Sequence, residues 1–206
     1  MPLPGETAYL ATNEPRASRL TTFFRFLIAI PHGIVLALWG IVVYFTLVIS
    51  WFALLITGRY PKALYDFHAG FARFAARYLA YSVVAVSRFP PFDGGEHPEY
   101  PVELQIGPPK ESYSRLLVLF RFVPLIVVYF ILVFVGIFLY VVSFVSWFVI
   151  LVLGRLPDGL HGAMAFCLSY SARSTAYYLL LTERFPGFDG SPADAAPTQP
   201  AGVSAY

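Results

Sequence analysis

Arg77 and Arg173 each lie inside a hydrophobic stretch that reads as a helix. A charge well inside a membrane helix costs about 2.5 to 3.5 kcal/mol unless it meets a partner or water. A guanidinium presents a planar fork of donors that matches phosphate and carboxylate, so one chemistry open to this pair is contact with an anionic lipid or another anion. Asp66, Gly70, Arg73, Arg77 and Tyr81 recur at helical spacing, which stacks them on one face. Gly162, Phe166, Ser169, Arg173 and Tyr177 hold the matching face further on. The pattern predicts a polar seam of Asp66, Arg73, Arg77 and Tyr81 against Arg173 and Tyr177. The plainer reading is that each arginine snorkels to the headgroups or caps nearby carbonyls.

His32 follows Pro31 in a charge-free run and is a candidate titratable group; the alternative is a neutral imidazole bonded to a carbonyl. His68, His97 and His161 show no metal-ligand spacing. Asp93 and Asp189 close two Phe-Asp-Gly turns, where an aspartate ordinarily bonds its own backbone. Cys167 has no second cysteine to pair with. No phosphate-cradling glycine loop, no Gly-x-Ser-x-Gly elbow and no nucleophile beside a base is present. Neither a catalytic site, a metal nor a cofactor is expected.

The elements that must position these residues belong to a lipid-solvated chain. The sequence is 58% hydrophobic and only 13% charged, where soluble domains carry about 25% charge. Residues 26–57 and 122–153 contain no Asp, Glu, Lys or Arg, and about 20 apolar residues already cross a bilayer. With no dense basic block, a nucleic-acid partner is not expected. The N-terminus lacks a basic start followed by a short apolar core, so no cleaved signal is expected.

Residues 18–94 align without a gap on 114–190, matching Ser-Arg-Leu, Phe-Arg-Phe, Ser-Trp-Phe, Gly-Arg-x-Pro and a closing Arg-Phe-Pro-x-Phe-Asp-Gly. Each copy reads as an interfacial lead-in, a long apolar helix, a tight turn and a second helix bearing one arginine. Pro31 and Pro124 should separate lead-in from span. The expected fold is an all-α membrane protein with four transmembrane helices, arranged as two tandem two-helix repeats of parallel topology plus interfacial lead-in helices. Its divisions are an N-terminal segment 1–17, a first repeat 18–94, a cytoplasmic linker 95–113, a second repeat 114–190 and a disordered tail 191–206. Parallel copies would be related by an axis along the membrane normal. They would gather Arg16, Arg19, Arg25, Arg88, Lys110, Arg115, Arg121 and Arg184 on one side, against Arg59, Lys62 and Arg155 on the other. That imbalance would make both termini and the linker cytoplasmic. Within the linker, Tyr-Pro-Val-Glu-Leu-Gln-Ile alternates like a short strand.

The blocks FRFLIAIPHGIVLALWG, SWFALLITGRYP and RFPPFDG, in that order and largely repeated, resemble the DUF4389 family of bacterial membrane proteins, a domain of unknown function. The resemblance covers most of residues 18–190 and implies a multi-pass protein of the plasma (inner) membrane. The second copy departs at Val127 and Val128, which replace Pro31 and His32, and at Leu156, which replaces Tyr60. The expected function is a non-enzymatic accessory or scaffold subunit that binds lipid, including anionic lipid, or other membrane proteins, with a homo-oligomer open. A small transporter or lipid carrier with an arginine-lined anion path is the alternative, and a membrane enzyme a third.

Overall fold

The computed structural model describes residues 2–14 and 17–188; the expected disordered tail and Asp189 lie outside them. The element order is β1 (Thr7–Ala11), α1 (Arg19–Thr57), α2 (Lys62–Ser82), β2 (Val102–Ile106), α3 (Arg115–Leu119), α4 (Phe122–Leu153) and α5 (Asp158–Tyr178). The two tandem repeats are therefore mostly helical, and α1 and α4 are long and apolar enough to cross a membrane.

Local chemistry sets the boundaries alike in both copies. Ser18 and Ser114 cap α1 and α3 by accepting the Thr21 and Leu117 N–H groups. Gly58 and Gly154 end the long helices at φ of 69° and 70°, a left-handed conformation that glycine adopts without Cβ penalty. Pro61 and Pro157 then start α2 and α5. The lead-ins differ from expectation in the first copy. Pro31 lies inside α1, which runs unbroken on both sides of it, so residues 18–30 are not a separate lead-in helix. In the second copy the break falls before Pro124. The proline cannot donate to the Phe120 carbonyl, which takes the Val123 N–H instead and separates α3 from α4.

The two copies run in opposite directions, which corrects the expected parallel topology. Trp51, near the end of α1, donates to the Val118 carbonyl at the start of the second copy, and Trp147, near the end of α4, donates to Thr22 at the start of the first. The Tyr113 and Ala17 N–H groups likewise reach Gly58 and Gly154. Each long helix therefore starts beside the end of the other, about an internal pseudo-twofold axis. Arg19, expected on the side opposite Arg155, bonds the Val152 carbonyl beside it. The grouping of charges that put both termini and the linker on one side does not hold.

Along that axis the elements form three layers. One strand precedes each copy, and the two form an antiparallel pair centred on Tyr9 opposite Leu104. β1 is a strand the sequence reading missed, whereas β2 is the expected one. The strands pack on α2 and α5, and these pack on α1 and α4. Small residues allow the close approach of the middle layer: Ala69, Ala72, Ala76 and Ala80 on α2 and Ala165, Ala172 and Ala176 on α5 are all buried. The outer faces of α1 and α4 are apolar along their whole length, with Phe26, Leu38, Phe45 and Ile56 exposed on one and Phe134, Tyr140 and Val152 on the other. The linker does not project away as a separate loop but runs back along α2, and its Gly107 carbonyl accepts the Tyr65 hydroxyl.

Candidate functional site

Arg77 is fully buried, and its partners come from the closing turn of its own copy and from the linker rather than from α5. One terminal nitrogen donates to the Gly95 carbonyl at 2.9 Å and to the Glu103 carboxylate at 3.3 Å, and the other donates to the Asp93 carbonyl at 2.7 Å. The fork thus pins the Phe-Asp-Gly turn and β2 against α2. Gly94 rests on Gly70 so closely that a Cβ on Gly94 would lie 2.6 Å from the Gly70 Cα. Around this contact Asp93 accepts the Gly95 N–H, His97 bridges Asp93 and Glu99 at 2.8 and 2.9 Å, and Arg73 pairs with Glu96. Burial pushes the Glu103 carboxyl up, against the pull of Arg77. Hydrogen bonds from His97 and Gly95 hold Asp93 below its usual range, and the two carboxylates raise His97.

The expected seam is therefore divided. Asp66 points outward and pairs with Lys62 on the surface. Arg173, on α5, lies in a different place, where with Glu6, Thr7, Thr182 and Arg184 it lines a small pocket. Tyr81 and Tyr177 are buried under two arginines that the sequence reading treated as surface charge. Arg25 lies over the Tyr81 ring at 4.6 Å and donates to the Tyr81 and Val86 carbonyls at 2.7 and 2.6 Å. Arg121 lies over Tyr177 at 3.7 Å and donates to the Tyr177 and Thr182 carbonyls. Both arginines close the ends of the second helices, where Val84 and Leu180 are held at positive φ. Val84 and Ala85 donate back to Tyr81 and Ala80 in a Schellman arrangement, with valine in the place that normally takes glycine. The signal for these arginines was present: Phe-Arg-Phe recurs in both copies with the charge between two aromatic residues.

His32 is fully buried, bonded through Nε2 to the Pro90 carbonyl at 2.9 Å and stacked on Phe92 and Phe74. Its role is to hold the closing turn of its own copy. His68 is held between the Tyr60 and Thr46 hydroxyls at 2.7 and 2.8 Å. Among the described residues no three His, Cys, Asp or Glu side chains come together in a ligating arrangement. Acidic and basic groups here mostly satisfy one another. Arg25 is an exception: it is 3% exposed and in no ion pair among the described residues, and its Nε and second terminal nitrogen have no hydrogen-bond partner.

A family profile described as "Domain of unknown function (DUF4389)" matches residues 19–93 and again residues 115–189. Nothing among curated proteins or solved structures matches the chain.

Proposed function

The chain belongs to the DUF4389 family, in two copies, and we propose that it is a non-enzymatic membrane scaffold seated in lipid by one face. The layer of α1 and α4 lies in the membrane, and the opposite pole, built from the strands and the linker, faces water and other proteins. One observation carries this reading. Gly94 sits on Gly70, which packs on Trp39 at the middle of α1, so the neighbouring Asp93 and Glu96, each 62% exposed, lie level with the centre of the long helices. If α1 and α4 stood upright in a bilayer, those carboxylates would sit at its midplane, at about 2.5 to 3.5 kcal/mol each. Length supports the same orientation. The 39 residues of α1 extend about 58 Å at 1.5 Å each, against a hydrocarbon core of about 30 Å. Lying in the plane of the membrane, the helices need no such match, and the pseudo-twofold axis then runs along the membrane normal.

Spin labels placed singly at Leu20, Leu38, Ile56 and Glu96 in a Cys167→Ala background, in liposomes, test the orientation by collisional depth. The expected result is similar depth at Leu20, Leu38 and Ile56, with Glu96 in water. A profile deepest at Leu38 with Glu96 equally deep would overturn it. That outcome would support the multi-pass reading with four spans, in which a second copy covers the carboxylates.

A further inference from the structure

We propose that the crevice between the start of α1 and the end of α4 is a binding site for a single-chain amphiphile with a carboxylate head, a long-chain fatty acid. The proposal rests on the reading that the α1 and α4 face lies in lipid, because that is where the crevice opens. The pseudo-twofold axis generates two such crevices from matching positions: Tyr140, Trp147 and Arg25 line one, and Tyr44, Trp51 and Arg121 the other. Their sizes differ, at about 800 Å³ and about 340 Å³, and the cause is legible residue by residue. Ala29, Ser82 and Ser143 in the first correspond to Leu125, Tyr178 and Leu47 in the second. The first crevice is the more hollow of the two and lies well inside the range of about 300–1,000 Å³ typical of small-ligand sites, whereas the second lies at its lower edge.

The wall of the larger crevice also carries more unmet polar demand than the smaller, whose Arg121 leaves only its Nε without a partner among the described residues. Arg25 brings a buried charge with two unpartnered nitrogens, and the buried Thr22 hydroxyl beside it in the lining has no partner either. Glu14, the acid whose charge reaches Arg25, is taken by the Ser87 N–H. A buried cation whose direct contacts are carbonyls and a ring, with no carboxylate bonded to it, leaves a free-energy deficit that an anion can offset. The aromatic and aliphatic remainder, including Phe26, Ile30 and Phe144, suits one acyl chain. It does not leave room for the two chains and glycerol of a phospholipid.

The test is native mass spectrometry of the full chain released from maltoside micelles after exposure to palmitate, hexadecanol or phosphatidylglycerol. Arg25→Met would also remove the bonds that close α2, so the informative variant is Ala29→Leu with Ser143→Leu. This pair places the second crevice's own residue type in the first and leaves Arg25 intact. One palmitate per chain is expected, with hexadecanol about tenfold weaker for want of charge-assisted bonds, and palmitate retention lost in the double variant. Equal retention of hexadecanol, preference for phosphatidylglycerol, or unchanged palmitate binding in the double variant would each overturn the proposal. Liposome flotation separates the two readings. A wild-type chain that floats but binds no palmitate loses only this site, whereas one that does not float loses the membrane seat itself.

Discussion

Replacing Arg77 with methionine distinguishes a pinned arginine from a lipid-facing one by the sign of the effect. Arg77 is fully buried and faces Glu103, whose residue is 5% exposed. Removing one partner of a buried pair leaves the other charged without compensation, at about 3–5 kcal/mol. The orphaned Gly95 and Asp93 carbonyls add about 1 kcal/mol each unless water reaches them. Arg77→Met should therefore destabilise the fold by several kcal/mol. Adding Glu103→Leu removes the stranded carboxylate and should return the loss to about 1–2 kcal/mol, a coupling of at least about 2 kcal/mol between the two sites. An arginine that faced the hydrocarbon would behave oppositely, since its loss would relieve an insertion cost of about 2.5 to 3.5 kcal/mol. Reversible unfolding in mixed micelles by increasing SDS fraction, followed through tryptophan fluorescence and circular dichroism, measures all three variants. A neutral or stabilising Arg77→Met, or a double variant no more stable than the single one, would refute the assignment.

Two further outcomes follow from the same region. Gly94→Ala should cost at least about 2 kcal/mol in the same unfolding assay, because its Cβ would meet the Gly70 backbone at 2.6 Å and neither side can yield easily. Gly136→Ala in α4, with nothing within 4 Å of the new Cβ, should be neutral or stabilising by up to about 1 kcal/mol. Equal losses in the two would count against the Gly94–Gly70 contact. His97 should titrate above 6.5 in its side-chain NMR spectrum, since Asp93 and Glu99 favour its charged form. Its contribution to holding the linker is then fully present below the unfolded value of about 6.5 and fades as pH rises through the folded value. The depressed Asp93 gives the opposite limit, lost as pH falls through its folded value. A His97 midpoint at or below 6.5 would contradict the bridge.

What was legible in the sequence is what repeats within it or acts locally. Gly58 with Pro61, and Gly154 with Pro157, announced the turns because a left-handed stop and a fixed-φ start are local demands of the backbone. β2 was readable from its alternation, while β1, five residues in a short polar lead, gave too little pattern. Arg77 stood out as a costly charge, but its carboxylate partner is 26 positions away in a different element, and no spacing rule connects them. The relative direction of the copies failed for a similar reason. It is decided by contacts such as Trp51 with Val118 and Trp147 with Thr22, which leave no local trace. The charge count assumed in advance that each apolar run crosses the membrane.

The duplication is therefore symmetric in frame and asymmetric in chemistry. The first copy holds its closing turn with polar groups: Gly70 admits the backbone of Gly94, Arg77 takes the carbonyls, and His32 stacks on Phe92. In the second copy Phe166 and Tyr170 stack on Phe188, with Val128 in the place of His32. The crevices diverge as well, but each draws on both copies: Ala29 of the first and Ser143 of the second line the larger one, where the smaller has Leu125 and Leu47. The small residues gather around one of the two crevices, at about 800 Å³ against about 340 Å³, and binding there should be one per chain rather than two.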